Sequence, residues 1–179
     1  MGDFQKAQRF TARWEGGYAR YDADPGGETK YGISLRFLKG LGKEAGDLDR
    51  DGDIDGADIR ALTPKAAARL LKASFWDRLD LDEVKPLCAL VMYDTAVNMG
   101  VSRAVRLAQK ALGVREDGIW GPVTRSALRV CDDRKCAAAM CHLRRAKYCE
   151  LARAHPELSV FLRGWLRRVE ALEEEVETA

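Results

Sequence analysis

Phe4, Ala7, Phe10 and Trp14 recur in steps of three and four, which predicts a helix with one face against a core. Gly16-Gly17 stops that helix, since glycine is the usual residue just past a helix end. Tyr31 to Lys39 reads as a strand end passing into a helix, with Leu35, Phe37 and Leu38 as core residues and Gly40 and Gly42 closing it. Thr63-Pro64 is a cap followed by a first-turn proline, and its helix runs through Ala66, Ala67, Leu70 and Leu71 toward Phe75-Trp76. Pro86 opens another helix. From Leu87 to Val97 it is apolar nearly all round, the pattern of a buried helix, with Asp94 and Asn98 as exceptions one turn apart. Ser102 caps the next, whose stripe of Ala104, Leu107, Ala108, Ala111 and Leu112 ends at Gly113. After a turn at Asp117-Gly118, Gly121-Pro122 starts a further helix. Asp132 or Asp133 caps a long one to about Ala154, broken by His155-Pro156. Leu158, Phe161, Leu162, Trp165, Leu166, Val169 and Leu172 mark a last amphipathic helix, whose acidic end is expected to fray. The pattern predicts a mainly α fold.

At 46% hydrophobic and 32% charged, the 179 residues can bury a core and are not disordered. No apolar run approaches the length of a membrane span. The net charge of +2 hides an uneven spread: residues 41–60 hold seven acids and three bases, residues 101–169 fifteen bases and six acids, and the tail from Glu170 to Glu177 five more acids. The basic stretch suits either an anionic polymer or a solvated helix face. It lacks the interleaved aromatics of a nucleic-acid binder. Five cysteines, an odd number, fit a reduced chain better than a disulfide framework. Their five-residue steps do not share a helix face and no Cys-x-x-Cys is present, so the expectation is buried free thiols rather than a metal site.

Two stretches carry candidate chemistry. Glu15 sits at the end of the first helix, beside the negative end of its dipole and an apolar wall from Trp14 or Tyr18. Both effects favour the protonated acid that general acid catalysis needs. Nine residues on, Asp24 lies in the turn chemistry of Tyr21-Asp22-Ala23-Asp24-Pro25-Gly26-Gly27, where it could oppose Glu15, with Asp22 in reserve. In the second stretch, Asp47, Asp49, Asp51, Asp53, Asp55 and Asp58 take positions one, three, five, seven, nine and twelve of a loop with Gly52 at six and Ile54 at eight. That is an EF-hand-like arrangement for Ca²⁺, with Asp53 offering its backbone carbonyl and the ion in a structural role.

The runs Glu15-Gly16-Gly17-Tyr18, Asp24-Pro25-Gly26-Gly27-Glu28-Thr29-Lys30-Tyr31-Gly32-Ile33-Ser34 and Asp94-Thr95-Ala96-Val97-Asn98-Met99-Gly100 resemble glycoside hydrolase family 108, the N-acetylmuramidases of phages and bacteria. Leu112 to Leu128 is similar to the peptidoglycan-binding modules that follow such catalytic regions. The resemblance implies a lysozyme-like helical fold with a small β-hairpin beside the catalytic helix. Residues 1–100 would be catalytic and 101–179 peptidoglycan-binding, either as two units or on one shared core. It implies Glu15 as acid, Asp24 with Thr29 as the partner that handles water or stabilises the cation, and no cofactor for catalysis. Tyr18, Tyr31, Asp94 and Asn98 are the candidate substrate contacts, although Asp94 and Asn98 read equally as an internal network. Trp120 reads either as core or as a platform for a sugar or peptide stem. A lytic transglycosylase and a non-catalytic wall-binding protein are the rival readings. The N-terminus shows no apolar leader, so the expectation is a monomer made in the bacterial cytoplasm that reaches the periplasm and wall by release or export, as with a holin-type partner.

Overall fold

The computed structural model describes residues 1–18 and 27–179. Ten α-helices and one two-stranded sheet are found among them. Helix α1 (Phe4–Ala12) is capped by the Asp3 carboxylate, and a turn continues it to Glu15, whose N–H donates to Thr11 O at 3.2 Å. The sheet pairs β1 (Thr29–Lys30) antiparallel with β2 (Ile33–Ser34). Both residues of its turn, Tyr31 at φ 52° and Gly32 at φ 78°, are left-handed, as a tight hairpin that follows strand twist requires. Ser34 then caps α2 (Leu35–Leu41). Short α3 (Lys43–Gly46) leads into the acidic loop, and α4 (Gly56–Ala61) leaves it through a capping box of Asp55 and Asp58.

Thr63 caps α5 (Pro64–Leu71) as expected, but Lys72–Trp76 is a π-helical turn. It is followed by two 3₁₀ turns before α6 (Pro86–Met99). Helix α6 is the axis of the molecule, buried at every residue from Cys88 to Ala96. It packs against α1, α7 (Val101–Leu112) and α9 (Asp133–Ala154), and α10 (Ser159–Thr178) lies along α9. Helix α8 (Pro122–Val130) packs on α7. One cluster of buried hydrophobic residues runs from Ala7 to Val176, so both ends of the chain enter the same core. No helix among the described residues is long and apolar enough to cross a membrane.

Two local expectations are corrected, and one choice left open is settled. Ser102 does not cap α7; Gly100 stands at the cap and Ser102 is within the first turn. Asp132 caps α9, while the carboxylate of Asp133 reaches across to accept the N–H groups of Leu87 and Cys88 at the start of α6, at 3.0 and 2.9 Å. The acidic tail is not frayed: α10 runs to Thr178, Val176 is buried, Glu175 pairs with Arg13, and Arg134 donates to the carbonyls of Val176 and Glu177.

At the centre lies Asp94, fully buried. Arg144 Nη1 donates to its Oδ2 at 2.6 Å, Arg168 Nη2 to Oδ1 at 2.6 Å, and Thr11 Oγ1 to Oδ1 at 2.9 Å. Burial works against its charge, and the two guanidiniums hold its carboxyl below the usual carboxylate range nonetheless. Removing the carboxylate would leave two buried cations facing each other. Asp94→Ala is therefore expected to cost about 3–5 kcal/mol in urea denaturation. Glu173→Ala, which breaks only the partly exposed pair with Arg145, should cost no more than about 1 kcal/mol.

Candidate active site

Glu15 is held from two sides. Arg168 Nη1 on α10 donates to Oε1 at 2.8 Å. The other side of the carboxyl lies over the hairpin turn: a Cβ on Gly32 would stand 3.1 Å from Oε2 and 3.0 Å from Cγ. Glycine is favoured there, because any side chain would press on the Glu15 carboxyl from a left-handed φ. The hairpin is itself tied to the end of α1 by Tyr31 N–H donating to Gly16 O at 3.2 Å. Trp14 lines the same groove as Glu15, whose polar partner is the Arg168 guanidinium.

Glu15 opens onto a groove of about 350 Å³ lined by Trp14, Asn98, Phe161, Gly164, Trp165 and Arg168, together with Val160. Its far wall is α10. Tyr148, Trp165 and Phe161 stack in series, with centroids 4.9 and 6.0 Å apart, and Phe161 is 54% exposed. Flat apolar rings beside polar donors are what a saccharide face requires. Asn98 belongs to this groove, and its Oδ1 accepts from Tyr148 OH at 2.5 Å.

The remaining candidates divide. Thr29 and Tyr31 lie on the hairpin whose turn abuts Glu15, and Tyr18 is exposed on the loop leading away from it. Asp22 and Asp24 lie outside the described residues. Asp94 is corrected as a substrate contact. It has no exposed surface, and of its two sequence readings the internal network is the one observed, acting on the groove through Arg168. Trp120 is partly buried against the core with Arg125 over its ring at 5.5 Å, which covers the face a sugar would need. Arg168, Phe161 and Trp165 escaped the sequence reading as site residues. The signal was there for Arg168: it falls on the apolar stripe of the last helix, three residues from Trp165 and four from Leu172, where a charge needs a buried partner.

A mainly helical body, a small hairpin against the end of the first helix and a carboxyl at the floor of a saccharide-sized groove define a lysozyme-like glycosidase. The comparisons give the family. Residues 8–100 match the model described as glycosyl hydrolase 108, more than half of the chain, and the protein belongs to that family. Residues 103–170 match a predicted peptidoglycan domain. The solved structure of Brucella abortus SagA is similar, with a TM-score of 0.81 and 28% identity over 98% of this chain and 94% of that one. No curated protein sequence matches the chain. The protein is thus a glycoside hydrolase acting on peptidoglycan.

Gly32→Ala puts a methyl group against the Glu15 carboxyl and a side chain at positive φ. The expected outcome is a loss of about 10²-fold in the rate of clearing a peptidoglycan suspension. The accompanying loss of stability should be only about 1–2 kcal/mol by denaturant titration. Unchanged clearing would separate Gly32 from the site.

Proposed function

We propose that the protein is an N-acetylmuramidase that hydrolyses the β-1,4 bond after N-acetylmuramic acid, with Glu15 as general acid. The observation that carries this is the two-sided grip on the Glu15 carboxyl at the floor of the aromatic-walled groove. Arg168 occupies Oε1, which leaves Oε2, on the hairpin side, as the oxygen that delivers a proton to the leaving glycosidic oxygen. Positive charge then develops on the sugar ring as the bond breaks. Asp24 and Thr29, in and beside the segment leading into the hairpin, supply the second function. If they hold a water, with the Asp24 and Glu15 carboxyls about 6.5–9.5 Å apart, the anomeric configuration inverts; a separation of about 5–5.5 Å, with Asp24 attacking directly, retains it. Asn98 and Trp165 hold a sugar beside the scissile bond, while Tyr18 and Tyr31 extend the contact along the hairpin side.

Mass spectrometry of products released from purified peptidoglycan tests this. Reducing N-acetylmuramic ends are expected from the intact protein, and Glu15→Gln should lower their rate by about 10²–10⁴-fold. Anhydro ends would reassign the reaction to a lytic transglycosylase. Wall binding without product from either protein would remove Glu15 from catalysis.

We also infer that the loop from Asp47 to Asp58 takes a structural Ca²⁺. Side-chain oxygens of Asp47, Asp49 and Asp58 lie within 4.8 Å of one another, and Asp47 Oδ1 is buried with no hydrogen-bond partner. Gly52 turns the loop at φ 100°. Hard oxygen ligands around a tight turn fit Ca²⁺, and nothing routes the ion into the chemistry. Ca²⁺ at 100-fold over its dissociation constant should stabilise the metal-free protein by about 2.7 kcal/mol in thermal denaturation. Asp49→Ala should abolish that gain. A midpoint indifferent to Ca²⁺ would leave the loop held by its own hydrogen bonds.

A further inference from the structure

The thiols of Cys88, Cys131 and Cys136 lie within 4.8 Å of one another. Spacing along the chain did not suggest this, because the three come from three elements. Cys88 is in the first turn of α6, Cys131 is the C-cap of α8, and Cys136 is in the first turn of α9. A five-residue step separates Cys131 from Cys136, but Cys131 precedes α9 and so escapes the rotation that would set it on another face.

We propose that these three cysteines bind one thiophilic divalent cation, of the class of Zn²⁺ and Cd²⁺, that joins the start of α6, the end of α8 and the start of α9. Zn–S bonds of about 2.3 Å in tetrahedral geometry place sulfurs roughly 3.8 Å apart, so closure asks for shifts of about 1 Å or less. Without an ion, the hydrogen bond to Cys136 and burial push the Cys88 thiol up, and burial pushes Cys131 up, while the bond to Cys88 brings Cys136 down, so the ion must displace protons. Two features of the surroundings favour that. Cys88 and Cys136 each stand at the positive N-terminal end of a long helix. Lys85 sits beside them, its Nζ 2.6 Å from Cys131 O. Three thiolates around a divalent ion leave one negative charge, which Lys85 offsets. Binding therefore replaces three thiol protons with one ion and releases those protons to solvent.

The supporting hydrogen bonds are already in place. The Asp133 backbone carbonyl accepts from the Cys88 thiol at 3.5 Å, a bond given up with the thiol proton on binding, whereas the Asp133 carboxylate accepts from Leu87 N–H and Cys88 N–H and keeps both. These bonds fix the first turn of α6 against the first turn of α9, which orients two of the three sulfurs. The Cys131 thiol donates to Leu128 O at 3.2 Å and exchanges that bond for the ion. Cys88 and Cys136 are buried, whereas Cys131 is only partly so. The ion enters on the Cys131 side, where water completes its fourth position. Cys141 and Cys149 stand outside the cluster.

The site is independent of the active-site reading, and its test does not use activity. The full-length protein, kept reduced, is titrated with Cd²⁺ while the thiolate-to-metal ultraviolet absorption is followed. The band is expected to saturate at one equivalent and to be accompanied by a rise in the thermal midpoint. Cys131→Ser, at a helix end and partly exposed, should weaken binding by more than about 100-fold, beyond the loss typical of a supporting residue. Cys149→Ser should leave it unchanged. Absence of the band, or its persistence in Cys131→Ser, overturns the proposal. So does a thiol count of three in the denatured, unreduced protein together with no binding after reduction, which would assign the pair to a disulfide.

Discussion

Everything near the groove depends on how one buried carboxylate is compensated. Asp94 takes a full negative charge out of water, which is tolerable only because two guanidiniums and a hydroxyl meet it there. Arg168 is itself almost wholly buried. Burial opposes its charge, but Asp94 first and Glu15 second keep it firmly protonated. The four groups come from α1, α6, α9 and α10, so the network sets the relative position of four helices as well as neutralising them. Glu15 is the outermost member, at the point where the buried charges meet the groove. Its geometry is therefore inherited from the interior: a shift of α10 against α6 moves Arg168, and Arg168 moves Glu15.

That dependence bears on how the two matched regions work together. The family match ends at residue 100, just past α6, and the peptidoglycan domain begins at residue 103, in the first turn of α7. The physical boundaries are elsewhere. Arg168 belongs to the second region and holds a carboxyl of the first. Phe161 and Trp165, also in the second, form the wall facing Glu15. Residues of both matched regions thus line one groove, and removing α10 would expose Asp94 and unseat Glu15 together.

Much of this was legible in the sequence wherever the information was local. The helix end at Gly113, the cap at Thr63 and the burial of α6 all follow from residue chemistry within a few positions, whereas α1 ends at Ala12, short of the stop expected at Gly16-Gly17. The placement of Glu15 just past α1 was equally readable. The π-helical turn at Lys72–Trp76 was not, because Phe75 and Trp76 continue an apolar pattern that an ordinary helix would also carry. The Asp94 partners were hidden for another reason. Arg144 and Arg168 lie 50 and 74 residues away, and on a chain with fifteen bases in that region nothing but their positions on apolar stripes distinguishes them from surface charge. The cysteine cluster failed to show for the same cause: its third member is supplied by a different helix.

The hairpin poses the last constraint. Two strands of two residues each cannot hold together unaided, yet their turn must keep Gly32 within van der Waals range of Glu15. The bracing comes from the acidic loop. Its exit helix α4 carries Arg60, whose carbonyl accepts from Lys30 Nζ at 2.6 Å and whose guanidinium pairs with Glu28 at 3.3 Å. At the first residue of that helix, Gly56, a Cβ would fall 2.7 Å from the Glu28 carboxylate, so that side chain rests directly on the start of the helix. The orientation of α4 is in turn set by Asp58, which accepts from Leu48 and Asp55 N–H groups across the loop. A chain of direct contacts thus runs from the loop through α4 and β1 to the turn at Gly32. The excursion of twelve acidic-rich residues is best understood as the buttress that lets so small a sheet serve as one side of the site.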